Sequence, residues 1–235
     1  MLLSFVATHT DTAHMNLPAN LFPASLLWGS GLLYVLLLGL AIYLAPWKRF
    51  KDKDKLHVFL GSCVLLLLIW SLKAGIRPGL NFHLLGATLF TLMFGWELAF
   101  IGLSMVLIGV TLNGASDWTS LPLNALVMGA LPVFVSATAL RLAVRHLPHH
   151  FFVYVLVNGY FCGGLAMILT VLTSSSLMIG LGPYTLDRVM HDYLPFTPFM
   201  IFGEGFITGM LATGMALMKP HWLESFDDRR YIAGK

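Results

Sequence analysis

The chain has 235 residues, of which 57% are hydrophobic and only 11% charged. Its mean hydropathy is +0.80, which excludes an ordinary soluble domain and points to an integral membrane protein. The 14 Lys and Arg against 11 Asp and Glu give a net charge of +3, and because the basic residues sit in short loops they are topology signals and exclude a nucleic-acid footprint.

Apolar runs recur from Phe22 to Met218 with short polar breaks, so one transmembrane domain is expected over residues 22–218. An extracytoplasmic segment, 1–21, precedes it and a cytoplasmic tail, 219–235, follows. Cys63 and Cys162 lie within apolar runs without CxxC spacing, so neither a disulfide framework nor a thiolate zinc site is indicated.

The short apolar piece Leu2 to Ala7 has no basic flank before it, and no cleaved signal is expected; a translation start at Met15 is the alternative. His14-Met15-Asn16 then brings an imidazole, a thioether and an amide together, ligand types that suit a borderline transition ion. The other reading is a frayed tail. Phe22 to Ala45 is long enough to cross, and Lys48, Arg49, Lys51, Lys53 and Lys55 follow at once. That densest basic loop belongs in the cytoplasm, which puts the N-terminus outside.

His57 to Lys73 returns, and Lys73, Arg77, Pro78 and Gly79 form an outer turn leading to Asn81-Phe82-His83-Leu84-Leu85-Gly86-Ala87. His83, at the mouth of an apolar run, is either a metal ligand or an interfacial histidine bonded to a loop carbonyl. From Leu84 to Leu112 the run is too long for one span and is cut by Gly95 and Glu97. A short inward helix to Phe94, a tight turn and an outward helix from Trp96 are expected. The inward limb, about 12 residues, falls short of a usual span and is tilted, kinked or partly re-entrant.

Asn113 to Asp117 is an outer loop, and Leu121 to Val144 goes inward to Arg141, Arg145 and His146. His149 and His150 open the run to Leu181, in which Gly159, Gly163 and Gly164 offer a close helix-packing face. Leu194 to Met218 is the last crossing, followed by Lys219, Arg229, Arg230 and Lys235. The fold class is therefore an all-α polytopic membrane protein of about seven crossings, N-terminus outside and C-terminus cytoplasmic. His9, His14, Asn16, His83, Asp117 and Asp187 share the outer face.

Glu204 stands mid-span between Gly203 and Gly205. Its carboxyl is protonated, bonded to another helix, or facing a polar cavity. His146, His149 and His150 flank Pro148 on the basic side and form an interfacial collar in preference to a metal cluster. The scattered methionines, Met105, Met128, Met167 and Met210 among them, are packing residues. Trp222, Phe226 and Tyr231, interleaved with both charge signs, suit docking on a partner or a plain basic tail. No nucleophile and base assemble and Walker A is absent, so the chain is not expected to be an enzyme.

Four stretches together resemble the membrane M component of cobalt and nickel energy-coupling-factor ABC transporters. Met15 to Phe22 is similar to that family's opening Met-His-Ile-Pro-Asp-Gly-Phe, and Phe82 to Ala87 to its Val-His-Leu-Leu-Gly. Leu123 to Gly129 is similar to its Ala-Asn-Ala-Leu-Asn-Met-Gly. Gly203 to Tyr231 resembles its Pro-Glu-Ala-Phe-Ile-Asn-Gly-Met stretch with the later Arg-Pro-Glu-Trp and Phe-Asp-Asp. The resemblance implies a substrate-capturing subunit in the cell's inner (plasma) membrane, with Co(II) or Ni(II) as transported ion and no tightly bound cofactor. It further implies a coupling membrane protein and cytoplasmic ATPase subunits as partners.

In that family the ion is held by the terminal amine, the second residue's imidazole and backbone nitrogen, and the later motif's histidine. By position His83 matches that histidine, Met15 the chain start, and Asn16 stands where the imidazole would be. Fourteen residues precede Met15, so its nitrogen is an amide unless the chain starts there. His14 then compensates from the other side, or this branch moves something else or has lost capture. The competing readings are an intramembrane enzyme using His83, Glu97 or Glu204, and a structural membrane partner.

Overall fold

The computed structural model describes residues 17–71, 74–77 and 80–231. His14, Met15 and Asn16, like Lys73, Pro78, Gly79 and Lys235, lie outside them.

Helix α1 (Ala24–Leu44) follows Pro23 and stops at Ala45, which stands before Pro46 and is extended at ψ 135°. A residue before proline is driven out of the helical region, so the stop is written locally. Its 21 residues rise about 31 Å, the thickness of a hydrocarbon core. Helix α2 (Lys53–Ser71) begins where the Asp52 carboxylate accepts the Asp54 N–H at 3.0 Å, a polar start at the membrane edge.

The expected outer turn is built as an antiparallel ribbon, β1 (Ala74–Arg77) against β2 (Leu80–Phe82), with Ala74 opposite Phe82. These two short strands decorate a fold that is otherwise helical.

Helix α3 (Ala87–Phe94) is only eight residues long and α4 (Trp96–Leu112) follows after one residue. Gly95 makes that turn at φ +83°, and a Cβ there would lie 3.3 Å from Glu97 Oε2. The break expected at Gly95 is thus where the chain reverses, and for a backbone reason: positive φ disfavours any side chain.

Three further apolar runs complete the bundle: α5 (Leu121–His146), α6 (Phe151–Gly180) and a last run, Leu186–Met218, made of α7 (Leu186–Asp192) and α8 (Thr197–Met218). Helix α7, N-capped by Thr185 Oγ1 on the Arg188 N–H at 3.3 Å, was not anticipated from the sequence. Five of the described helical runs are long and apolar enough to cross a membrane. With α3 and α4 they make seven helical limbs, as expected from the apolar pattern.

The α6–α8 contact is the tightest in the bundle. A Cβ on Gly159 would stand 3.0 Å from Gly209 Cα, one on Gly163 3.3 Å from Gly205 Cα, and one on Gly205 2.6 Å from the Tyr160 carbonyl oxygen. Two glycines four residues apart on each helix let the backbones touch, the packing that substitutes for a hydrophobic drive inside lipid.

The segment after α8 ends in a short helix, α9 (Asp228–Tyr231), and folds back on the bundle. Phe226 and Tyr231 are buried and their rings lie 4.8 and 5.1 Å from that of Tyr154. Tyr154 Oη also meets Ser225 Oγ at 2.7 Å. The reading of Phe226 and Tyr231 as a partner-docking surface is corrected here: they dock on their own chain, because a folded tail offers them apolar area at once.

Candidate functional site

The third limb is broken where it enters the protein. An eight-residue helix spans about 12 Å, so the residues before α3 cross in extended form and their backbone needs partners that a continuous helix would supply itself. Glu204 supplies them. Its Oε2 accepts the Leu85 N–H at 2.7 Å and its Oε1 the Gly86 N–H at 2.9 Å, across 119 and 118 residues of sequence. The carboxylate is buried and lies at the positive end of α3, where exposed N–H groups and the helix dipole both favour an anion. Of the readings open for Glu204, bonding to another part of the chain is what these two hydrogen bonds show.

Gly86 makes this geometry possible. It takes the left-handed conformation at φ +67°, and a Cβ would come 2.9 Å from Leu66 Cδ1. One turn on, Thr88 Oγ1 and Ser136 Oγ meet at 2.8 Å, tying α3 to α5 through buried hydroxyls.

His83 stands three residues before Gly86 in the same extended entry. Its Nδ1 is 3.1 Å from the Leu84 carbonyl oxygen. A carbonyl only accepts, so Nδ1 is the donor in this bond, and a bond of this kind is what orients a ligating histidine. The Trp70 ring lies 5.2 Å away. Leu84, Phe196, Phe199, Met200 and Gly203 complete a cleft beside the imidazole. Both alternatives for His83 meet in this geometry, since the bond to a loop carbonyl is also what a ligand needs for orientation.

Sequence reasoning missed Asn124 as a functional group. At the start of α5 its Oδ1 accepts the Leu17 N–H at 2.9 Å and its Nδ2 donates to the Leu17 carbonyl at 3.1 Å. Asp117 Oδ2 also accepts the Ala19 N–H at 3.2 Å. A buried amide that pairs both ways with the N–H and C=O of one residue acts as a strand edge of one residue. From Leu17 onward the N-terminal segment is therefore a fixed strap, and Leu17 is fully buried. The available signal was Asn124 itself, a polar residue within an apolar run. A π-helical segment, Ala125–Ala130, begins at the next residue, a local widening that recurs at functional sites.

The three histidines that flank Pro148 are engaged locally. His146 Nδ1 meets the Leu142 carbonyl and His149 Nε2 the Val144 carbonyl, each at 3.1 Å, and His150 Nδ1 accepts the Phe152 N–H. Among the described residues no three His, Cys, Asp or Glu side chains come together as a metal cluster. Glu97 lies beside Gly95 at the far end of α3 from Glu204, so the three groups of the enzyme reading do not converge.

What the fold defines is a multi-pass helical membrane protein with a broken third limb, pinned inside by a carboxylate from the last span. Residues 16–222 match the CbiM family, described as the cobalt uptake substrate-specific transmembrane region, and the chain belongs to that family. Its fold is shared with two crystal structures. One is described as a truncated transition metal transporter (TM-score 0.69, 21% identity, covering 86% of this chain and 98% of that one). The other is described as a transition metal transporter (TM-score 0.66, 21% identity, covering 86% and 93%). A comparison with curated proteins gave no match.

Proposed function

We propose that the chain is the substrate-capturing membrane subunit of a cobalt or nickel importer, binding the ion at the end of the bundle where His83 and the N-terminal strap lie. The ligands assigned are His83 with His14 and the Met15 and Asn16 backbone. Such a nitrogen-rich set suits Ni(II) or Co(II). The observation that carries this reading is the two-way pairing of Leu17 with Asn124, at 2.9 and 3.1 Å. It anchors the residue next to Asn16, so that donors just upstream are delivered from a fixed point and pay little ordering entropy on binding. Membership of a cobalt uptake family supports the cargo.

Energy comes, in this proposal, from partner ATPase subunits acting through a coupling membrane protein, since the chain has no Walker A motif. The Lys48 to Lys55 loop and the tail face the cytoplasm in the cell's inner membrane.

Calorimetric titration of Ni(II) and Co(II) into purified protein tests the site. His83→Ala should weaken binding by more than about 100-fold, since even an outer partner of a ligand is worth 10–100-fold, while the melting profile stays as in the parent. Asn16→His should tighten it. His14→Ala should be nearly as damaging as His83→Ala if His14 stands in for the missing imidazole, and harmless if Met15 begins the chain. Unchanged binding in His83→Ala would remove the metal assignment.

A further inference from the structure

A groove opens sideways from the bundle between α2 and α8, floored by α3. Leu66, Ile69, Ile207 and Leu211 form its walls and Leu89 and Met93 its floor, enclosing about 130 Å³. Leu65 and Leu211, at the rim, are 59% and 37% exposed, so the mouth faces the bilayer. Glu204 reaches the inner wall, but both its oxygens already accept from Leu85 and Gly86. The slot is chemically aliphatic.

One end of it is cationic. Met93 also lines a second pocket, whose wall holds Arg49, Lys55 and His221. Arg49 is committed to Glu224 at 2.8 Å and to the Phe94 carbonyl. Lys55 is half-buried and, among the described residues, has no ion pair. It borders a third pocket as well, with His221 and Arg229. Of the carboxylates there, Glu224 is held by Arg49 and Asp227 accepts the Arg229 N–H at 2.9 Å.

Lys55, Val58, Ser62, Leu65 and Ile69 follow one another at helical spacing down one face of α2. From Lys55 to Leu66 the rise is about 16 Å, close to half of a hydrocarbon core of about 30 Å. A cation at the membrane edge, joined to an aliphatic slot one leaflet deep, is complementary to an amphipathic anion. A partner helix, about 10 Å across, can lie only over the mouth and leaves the slot and the cation unfilled.

We propose that this groove binds one anionic phospholipid, with an acyl chain between α2 and α8 and the phosphate at Lys55 and His221. The site is independent of the metal-capture reading.

Native mass spectrometry of the full chain, released from bilayer discs of equal phosphatidylglycerol and phosphatidylcholine, tests it. The parent should retain one phosphatidylglycerol in preference to phosphatidylcholine. Lys55→Gln should cut that preference by about fivefold, the worth of one basic residue at a charged membrane surface. Lys55→Arg should restore it, and Lys48→Gln, off the groove, should leave it unchanged. Leu211→Trp, which fills the slot, should lower retention of both lipids. Equal retention of the two lipids by the parent would overturn the proposal. So would an equal effect of Lys48→Gln and Lys55→Gln, or crosslinking of Leu211→Cys in membranes to a second polypeptide in place of lipid.

Discussion

Helix α1 runs for 21 residues and satisfies its own backbone, whereas α3 has eight and borrows partners at both ends. Most of α1 faces outward: 17% of its apolar window is buried, and Gly29, Gly31 and Gly39 have open space where a Cβ would go. In α3 every residue except Leu89 is buried. Glu204 holds its entry. At its exit the Leu92 carbonyl accepts from Ser225 N–H and Oγ at 3.2 and 2.8 Å, the Met93 carbonyl from the Glu224 N–H at 3.2 Å, and the Phe94 carbonyl from Arg49 Nη1 at 3.3 Å. In lipid an intact span needs nothing else, while a broken one is tolerated only where protein replaces the missing bonds. The candidate ligand His83 is mounted on the broken limb because that is where extended backbone can be held at membrane depth.

The sharpest way to break this contrast is Glu204→Leu, which strands the Leu85 and Gly86 N–H groups. At about 1–3 kcal/mol for each unsatisfied buried group, a loss of roughly 2–6 kcal/mol is expected, read as a lower melting point in detergent. Glu204→Gln keeps an acceptor and should lose less; equal losses in the two variants would mean that capping is not its role. Gly205→Val comes next. Its Cβ would meet the Tyr160 carbonyl at 2.6 Å, and overpacking of this kind costs about 1–3 kcal/mol; an unaltered melt would show that α6 and α8 separate freely.

Asn124→Ala should cost about 1–2 kcal/mol through the two lost bonds to Leu17, and limited proteolysis should then cut near the strap sooner than in the parent. Asn124→Asp keeps the acceptor alone and should fall between. At the bottom of the scale, Gly39→Ala should change stability by no more than about 0.5 kcal/mol, and a large loss there would contradict the picture of α1 as a self-sufficient span.

The limits of the spans were legible in the residues because hydropathy, proline stops and glycine breaks act within a few positions. Pro46 ends α1, Gly95 turns α3 into α4, and Gly159 and Gly163 mark the close face of α6. His83 could likewise be singled out as a polar group entering an apolar run. The partner of Glu204 could not, since it lies 119 residues away and consists of backbone N–H groups that carry no residue signature. Asn124 was hidden in the same way, its partner Leu17 being 107 residues distant. The ribbon before His83, helix α7, and the folding of Phe226 and Tyr231 onto their own chain also had to await the packed chain. Local chemistry thus determined which segments enter the membrane. Only the tertiary structure decided how the broken limb is held, because its missing bonds are supplied by whatever the fold brings alongside.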